Sequence, residues 1–167
     1  MNPKYFGDSY DIVKRFFCTE LSVLGYSMEI DPMLTGPWDD TKTSFYRFIC
    51  ANPTRAEGTR TAIFFDPDTG VSQRASAQHL SLERLAQATQ RYGLAFSFDQ
   101  SFSRQYSPAD IMQQKFAALR SLGAFGMYYD SHARFLFAAS SLEPLTRLRD
   151  HLVALGLPES RLLANVT

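Results

Sequence analysis

From Ser9 to Leu24 apolar residues recur at steps of three and four, through Ile12, Val13, Phe16, Phe17, Leu21 and Leu24. This period predicts an amphipathic helix, with Asp8 as its cap and Gly25 as its stop. Tyr26, Met28 and Ile30 then alternate with polar neighbours, as in a strand. The stretch Asp31 to Thr43 holds Pro32, Gly36, Pro37, the acidic pair Asp39 and Asp40 and the only tryptophan, Trp38, and reads as a loop long enough to form an exposed flap. Phe45 to Cys50 is apolar but too short to assign, and Asn52 to Arg60 is a second polar loop.

The second half has a cleaner rhythm. Thr61 to Phe65 is a compact apolar strand that ends abruptly in Asp66-Pro67-Asp68-Thr69-Gly70, so a turn is expected there. A helix is expected from Ser81 through Leu82, Leu85, Ala86 and Tyr92, closed by Gly93, before a strand over Leu94 to Phe98 that Asp99 terminates. Ser107-Pro108-Ala109-Asp110 combines a cap, a proline at the first helical position and an acid three residues after the cap, and predicts a helix to Leu122 with Gly123 as its stop. Phe125–Tyr129 and Arg134–Ala139 read as strands of a hairpin around Asp130 to Ala133. Ser141 to Leu155 reads as the last helix, and Leu162 to Val166 as a final edge strand.

Strands alternating with helices imply crossover units, so the expected fold is α/β: a single domain over 1–167 with a mainly parallel, Rossmann-like sheet, helices on both faces and an antiparallel C-terminal hairpin. No internal repeat, low-complexity tract or linker breaks the chain.

Composition then narrows the class. With 45% apolar and 14% aromatic residues the chain has the makings of a core, which excludes disorder. The 17 basic residues balance 17 acidic ones, which argues against a broad phosphate-neutralising surface without excluding a local basic patch. The N-terminal residues lack a signal-peptide pattern and no stretch is long enough for a membrane span, so a cytoplasmic location off the membrane is expected. Cys18 and Cys50 sit in apolar contexts and read as buried hydrophobes. His79, His132 and His151 are scattered without zinc-type spacing, and nothing points to NAD or haem. Oligomeric state is left open.

Candidate chemistry follows from the strand ends. In an open parallel sheet ligands bind beyond the carboxyl ends of the strands, where loops converge. Asp66, Asp99 and Asp130 each follow a strand, and Asp68 joins Asp66. Carboxylates gathered on one rim repel one another unless a cation lies between them, and oxygen ligands of this kind suit Mg²⁺ or Mn²⁺. Asp66 and Asp68, with Asp99 and Asp8, are therefore the expected metal ligands. Asp130 reads as a turn residue. Asp8, Asp11, Lys14 and Arg15 fall near one face of the first helix, the apolar residues taking the other. Lys14 and Arg104 are expected to stabilise charge on phosphoryl oxygens, with Asp66 and Asp68 beside them as catalytic groups, and Asp11, Thr69, Gln100 and Ser101 to contact substrate. The expected activity is metal-dependent, nuclease- or phosphatase-like hydrolysis of a phosphoester in a nucleotide or nucleic acid, the expected partner being a phosphorylated small molecule or nucleic acid. The alternative is a non-catalytic Rossmann-like binding or interaction module, with Trp38 in its acidic loop as a first place to look for a partner.

Tyr5-Phe6-Gly7-Asp8-Ser9-Tyr10-Asp11-Ile12-Val13-Lys14, with Ile63-Phe64-Phe65-Asp66-Pro67-Asp68-Thr69-Gly70, resembles a group of bacterial proteins that carry a GD-x-x-D-x-x-K opening and a DPD-[NT]-G segment. The likeness extends thinly through Phe98 to Ser101 and Arg104, with Asp99 a departure from its pattern. It implies that these residues form one site and brings no activity with it. Asp66-Pro67-Asp68 is also similar to the D-x-D-x-[TV] motif of haloacid-dehalogenase-type phosphatases, which implies Asp66 as nucleophile and Asp68 as acid. Thr69 falls one residue early for that motif, and Ser101 and Lys115 are the available residues for its later positions. An apolar strand ending in Asp-Pro is similar to the [DN]-P-P-[YFW] motif of Rossmann-type amino-methyltransferases as well, but no Gly-rich turn for S-adenosylmethionine precedes it, so this resemblance implies the non-catalytic module as a reduced relative of those enzymes. No phosphate-binding GxxxxGK[ST] loop, GxGxxG fingerprint or GxSxG elbow is present.

Overall fold

The Asp8 carboxylate accepts from the backbone N–H groups of Tyr10 and Asp11, and so opens helix α1, Ser9–Val23. Phe17, Cys18 and Leu21 on its inner face are fully buried, whereas Ile12 is 60% exposed. The computed structural model describes residues 2–49, 60–74, 76, 78–102 and 105–164. Cys50, Arg104 and the last residues of the expected edge strand lie outside the described residues.

Strand β1, Tyr26–Asp31, follows α1 directly. Helix α2, Thr41–Ile49, then forms where the sequence reads first as loop and then as an unassigned apolar run. Asp39 accepts from Thr41 N–H at 2.9 Å, and Phe45 and Ile49, one turn apart, are both buried. A capped start and a two-residue apolar stripe suffice for a helix that packs against α1, although they are too little for its period to stand out. Trp38 is half-buried against the Phe45 ring at 5.6 Å rather than exposed on a flap.

Strand β2 covers Arg60–Phe65. Two three-residue strands, β3 at Gly70–Ser72 and β4 at His79–Ser81, pair in parallel beyond it. They are too short to leave a period in the sequence. Ser81 caps helix α3, Leu82–Ala88, which ends one turn earlier than expected. Strand β5, Leu94–Phe98, and helix α4, Pro108–Ser121, capped by Ser107, follow the expected bounds closely. The chain continues with β6, Phe125–Tyr129, β7, Phe135–Ala139, α5, Leu142–Ala154, and β8, Leu162–Ala164.

The main sheet has six strands in the order β1-β2-β5-β7-β6-β8. β1, β2 and β5 are parallel, while β7 pairs antiparallel with both β5 and β6, and β8 pairs antiparallel with β6. The fold is thus α/β with a mixed sheet, parallel at one end and antiparallel at the other. The hairpin is no appendage, because β7 lies between β5 and β6 inside the sheet. One face is covered by α1, α2 and α5 through Phe17, Phe45 and Leu148; the other by α3 and α4 through Leu85 and Phe116. β1, β2, β5 and β6 run the same way, so Phe65, Phe98 and Tyr129 end at one rim of the sheet.

Candidate functional site

At that rim a cavity of about 320 Å³ is lined by Tyr5, Asp8, Tyr10, Lys14, Asp66, Pro67, Asp68, Phe98 and Gln100. The start of α1 supplies one wall, and the chain just beyond β2 and β5 supplies the floor. Tyr10 and Lys14, one helical turn apart, face the sheet together, with the Tyr10 ring edge-on to Phe98 at 5.1 Å.

Below the cavity lies a buried ionic cluster. Lys14 Nζ donates to Asp11 Oδ1 at 2.8 Å and to Asp66 Oδ2 at 2.9 Å, and Asp11 Oδ2 accepts from the Gly7 N–H at 2.8 Å. Asp11, Lys14 and Asp66 are each at least nine-tenths buried. Asp11 and Lys14 thus lie on the buried side of α1, because each finds an ion partner inside. Burial pulls the Lys14 ammonium towards losing its proton, but Asp66 and Asp11 outweigh this and hold its pKa above the ordinary lysine value. Burial pushes the Asp66 carboxyl up despite Lys14. Desolvation thus favours the uncharged Asp66 carboxyl, while the two carboxylates beside Lys14 favour its charged form.

Asp68 is half-buried at the cavity wall and accepts from the Thr35 hydroxyl at 2.6 Å. Burial pulls its carboxyl upward, and hydrogen bonds, that of Thr35 first, together with nearby positive charge more than reverse this, leaving it below the usual aspartate value. Asp68 therefore presents a negative charge to the cavity at neutral pH.

Asp99 is not brought to this place. Phe65 of β2 stands opposite Ser97 of β5, so Asp66 falls one step on, level with Phe98, and Asp99 one step further. Side chains alternate between the faces of a sheet, so this single-residue offset sends Asp66 to the α1 side and Asp99 to the α4 side. There the fully buried Asp99 accepts from Val71 N–H at 2.9 Å, Ser101 N–H at 3.1 Å, the Ser101 hydroxyl, Lys115 Nζ at 2.6 Å and the Tyr128 hydroxyl. Lys115 also donates to Ser101 Oγ at 2.8 Å. Desolvation draws the Lys115 ammonium below its ordinary pKa even with Asp99 beside it. The same burial, with the Asp99 charge, drives the Tyr128 phenol well above its own. The closeness of Asp99 to the backbone of the β3 turn sets the identity of residue 70. A Cβ on Gly70, whose φ is +108°, would lie 2.5 Å from Asp99 Oδ1 and 2.6 Å from Gln100 N.

The expected site residues therefore divide into groups. Asp8, Lys14, Asp66, Asp68 and Gln100 line one cavity, with Asp11 directly beneath. Asp99 and Ser101 belong to the second cluster, together with Lys115, so the Lys115 ammonium pairs with Asp99 while Lys14 pairs with Asp66. Thr69 turns away and bonds the Gln78 carbonyl through both its amide and its hydroxyl. Asp130 pairs with Arg134 at 2.8 Å. Among the described residues no three Asp, Glu, His or Cys side chains converge closely enough to hold a metal ion together. Asp66 and Asp68 alone still offer two oxygen donors in one cavity, the number that Mg²⁺ takes from protein when phosphate and water complete its shell. Tyr5, Tyr10 and Phe98 also line the cavity; they stand in the segments that carry the resemblance, but the sequence reading gave them no role of their own. The four-residue spacing of Tyr10 and Lys14 links a ring to the charged cluster as well.

No protein-family model, curated protein or solved structure matches the chain. Within the described residues no helix is long and apolar enough to cross a membrane.

Proposed function

We propose that the protein is a binding module whose cavity takes the positively charged end of a small organic amine or guanidine. One observation carries this reading. Asp8, Asp66 and Asp68 line the cavity with Lys14, itself shared with Asp11, as the one basic side chain among the described lining residues, and the remaining walls include Tyr5, Tyr10 and Phe98. Carboxylates favour a cation, and aromatic faces favour one that carries an apolar body. A bare phosphate would meet more negative than positive charge here, so anion binding is disfavoured unless a divalent cation accompanies it.

That condition defines the second reading, a Mg²⁺- or Mn²⁺-dependent phosphoesterase acting on a phosphorylated small molecule or nucleic acid. The observation in its favour is that Asp66 and Asp68 line one cavity at the carboxyl ends of parallel strands. Thermal melting separates the two. If the cavity takes an organic cation, millimolar n-butylguanidinium or spermidine raises the melting temperature and Mn²⁺ does not, by preferential binding to the folded state. A shift with Mg²⁺ or Mn²⁺ alone favours the phosphoesterase, and no shift with any of them removes both readings.

A further inference from the structure

Resting on the cation-binding reading, we propose that His132 is a positioning residue for the cavity, setting its affinity through Tyr10 without touching the ligand. His132 lies in the turn between β6 and β7, far along the chain from α1, and its side chain is exposed. Its ring stacks on Tyr10, the centroids 6.0 Å apart and the planes 23° from parallel, and its Nε2 shares a hydrogen bond with the Tyr10 hydroxyl at 3.1 Å. The same residue's backbone carbonyl accepts from the Gln100 side-chain amide. Tyr10 and Gln100 both line the cavity, whereas His132 does not. One residue of the turn thus fixes two lining side chains that come from two different elements.

The ordinary account of an exposed histidine is a surface residue with no role, but these contacts are more specific than that account requires. The Tyr10 ring meets Phe98 edge-on at 5.1 Å and stacks with His132 at 6.0 Å. An aromatic ring attracts a cation through its face, so the affinity depends on the ring keeping one orientation. Freeing the hydroxyl lets the ring turn about its side-chain bonds, and part of the binding free energy is then spent on ordering it.

Calorimetric titration with n-butylguanidinium tests this on the wild type, His132→Ala, His132→Gln, Tyr10→Phe and the His132→Ala/Tyr10→Phe double variant. The expected result is a dissociation constant raised about fivefold in His132→Ala and in Tyr10→Phe, the scale of one modest hydrogen bond. The double variant should be no weaker than either single one, because both remove the same contact. His132→Gln, whose amide can again reach the phenol, should recover most of the loss, and the melting temperature of the unliganded protein should stay unchanged throughout. Equal affinity in wild type and His132→Ala overturns the role of His132 while leaving the cavity reading intact. Additive losses in the double variant overturn it too. Absence of binding to the wild type defeats the underlying reading itself, and with it this inference.

Discussion

Asp66 and Asp99 terminate neighbouring parallel strands, yet their carboxylates lie on opposite faces of the sheet, each against its own lysine: Lys14 at 2.9 Å and Lys115 at 2.6 Å. The separation follows from one residue of offset between the strand ends. It divides the rim into an open, acidic cavity on the α1 side and a closed polar knot on the α4 side.

The Lys14 ammonium is the sole cation in hydrogen-bond contact with Asp11 and Asp66 among the described residues. Lys14→Met leaves two buried carboxylates without it and is expected to lower unfolding free energy by about 3–5 kcal/mol, the range for breaking a buried ion pair from one side. Adding Asp11→Asn and Asp66→Asn should return most of that loss, because the groups left behind are then neutral. Urea denaturation of the single and triple variants measures both effects.

Much of the fold was legible in the sequence because the long elements leave a clear period. Ser107 and Pro108 announce α4, and the compact apolar run Thr61 to Phe65 announces β2 with Asp66 at its exit. What escaped has physical reasons. β3 and β4 are three residues each, and α2 is signalled by little more than Asp39, Phe45 and Ile49. The crowding of Asp66 with Asp68 was readable from their spacing, but the placement of Asp99 depends on a cross-strand register that no local pattern contains. The spacing of Asp11 and Lys14 was legible too, but it is the same whether the partner that completes the cluster, Asp66, is present or absent, so the buried ion pairing was not.

The Tyr128 phenol gives the closed knot a signature at high pH. Burial and the Asp99 charge raise its pKa well above 10.0, so the folded protein keeps a proton that the unfolded chain releases. A raised pKa contributes stability that is complete below the unfolded value and declines as pH rises through that value towards the folded one. Wild-type stability should therefore fall above about pH 10, the ordinary tyrosine value, more steeply than that of Tyr128→Phe, which has no phenol to ionise. Parallel alkaline limbs for the two proteins in denaturant titrations would argue against this coupling.

Gly70→Ala tests how closely β3 is held to the end of β5. The new methyl group would meet Asp99 Oδ1 and the Gln100 amide within 2.6 Å, at a backbone φ of +108° that side chains disfavour. A loss of about 2–4 kcal/mol is expected, above the usual cost of a glycine replacement, because crowding and backbone strain act together. Calorimetric melting of this variant provides the comparison.

The most direct measurement of the cavity's role is calorimetric binding of n-butylguanidinium to wild type and to Asp68→Asn, repeated at low and high salt. Asp68 is half-buried and carries its charge at neutral pH, so its amide replacement preserves shape while removing attraction. The account predicts saturable binding to the wild type, weakened about tenfold or more in Asp68→Asn, with a smaller salt dependence in the variant. Equal binding by the two proteins, or none by the wild type, would contradict it.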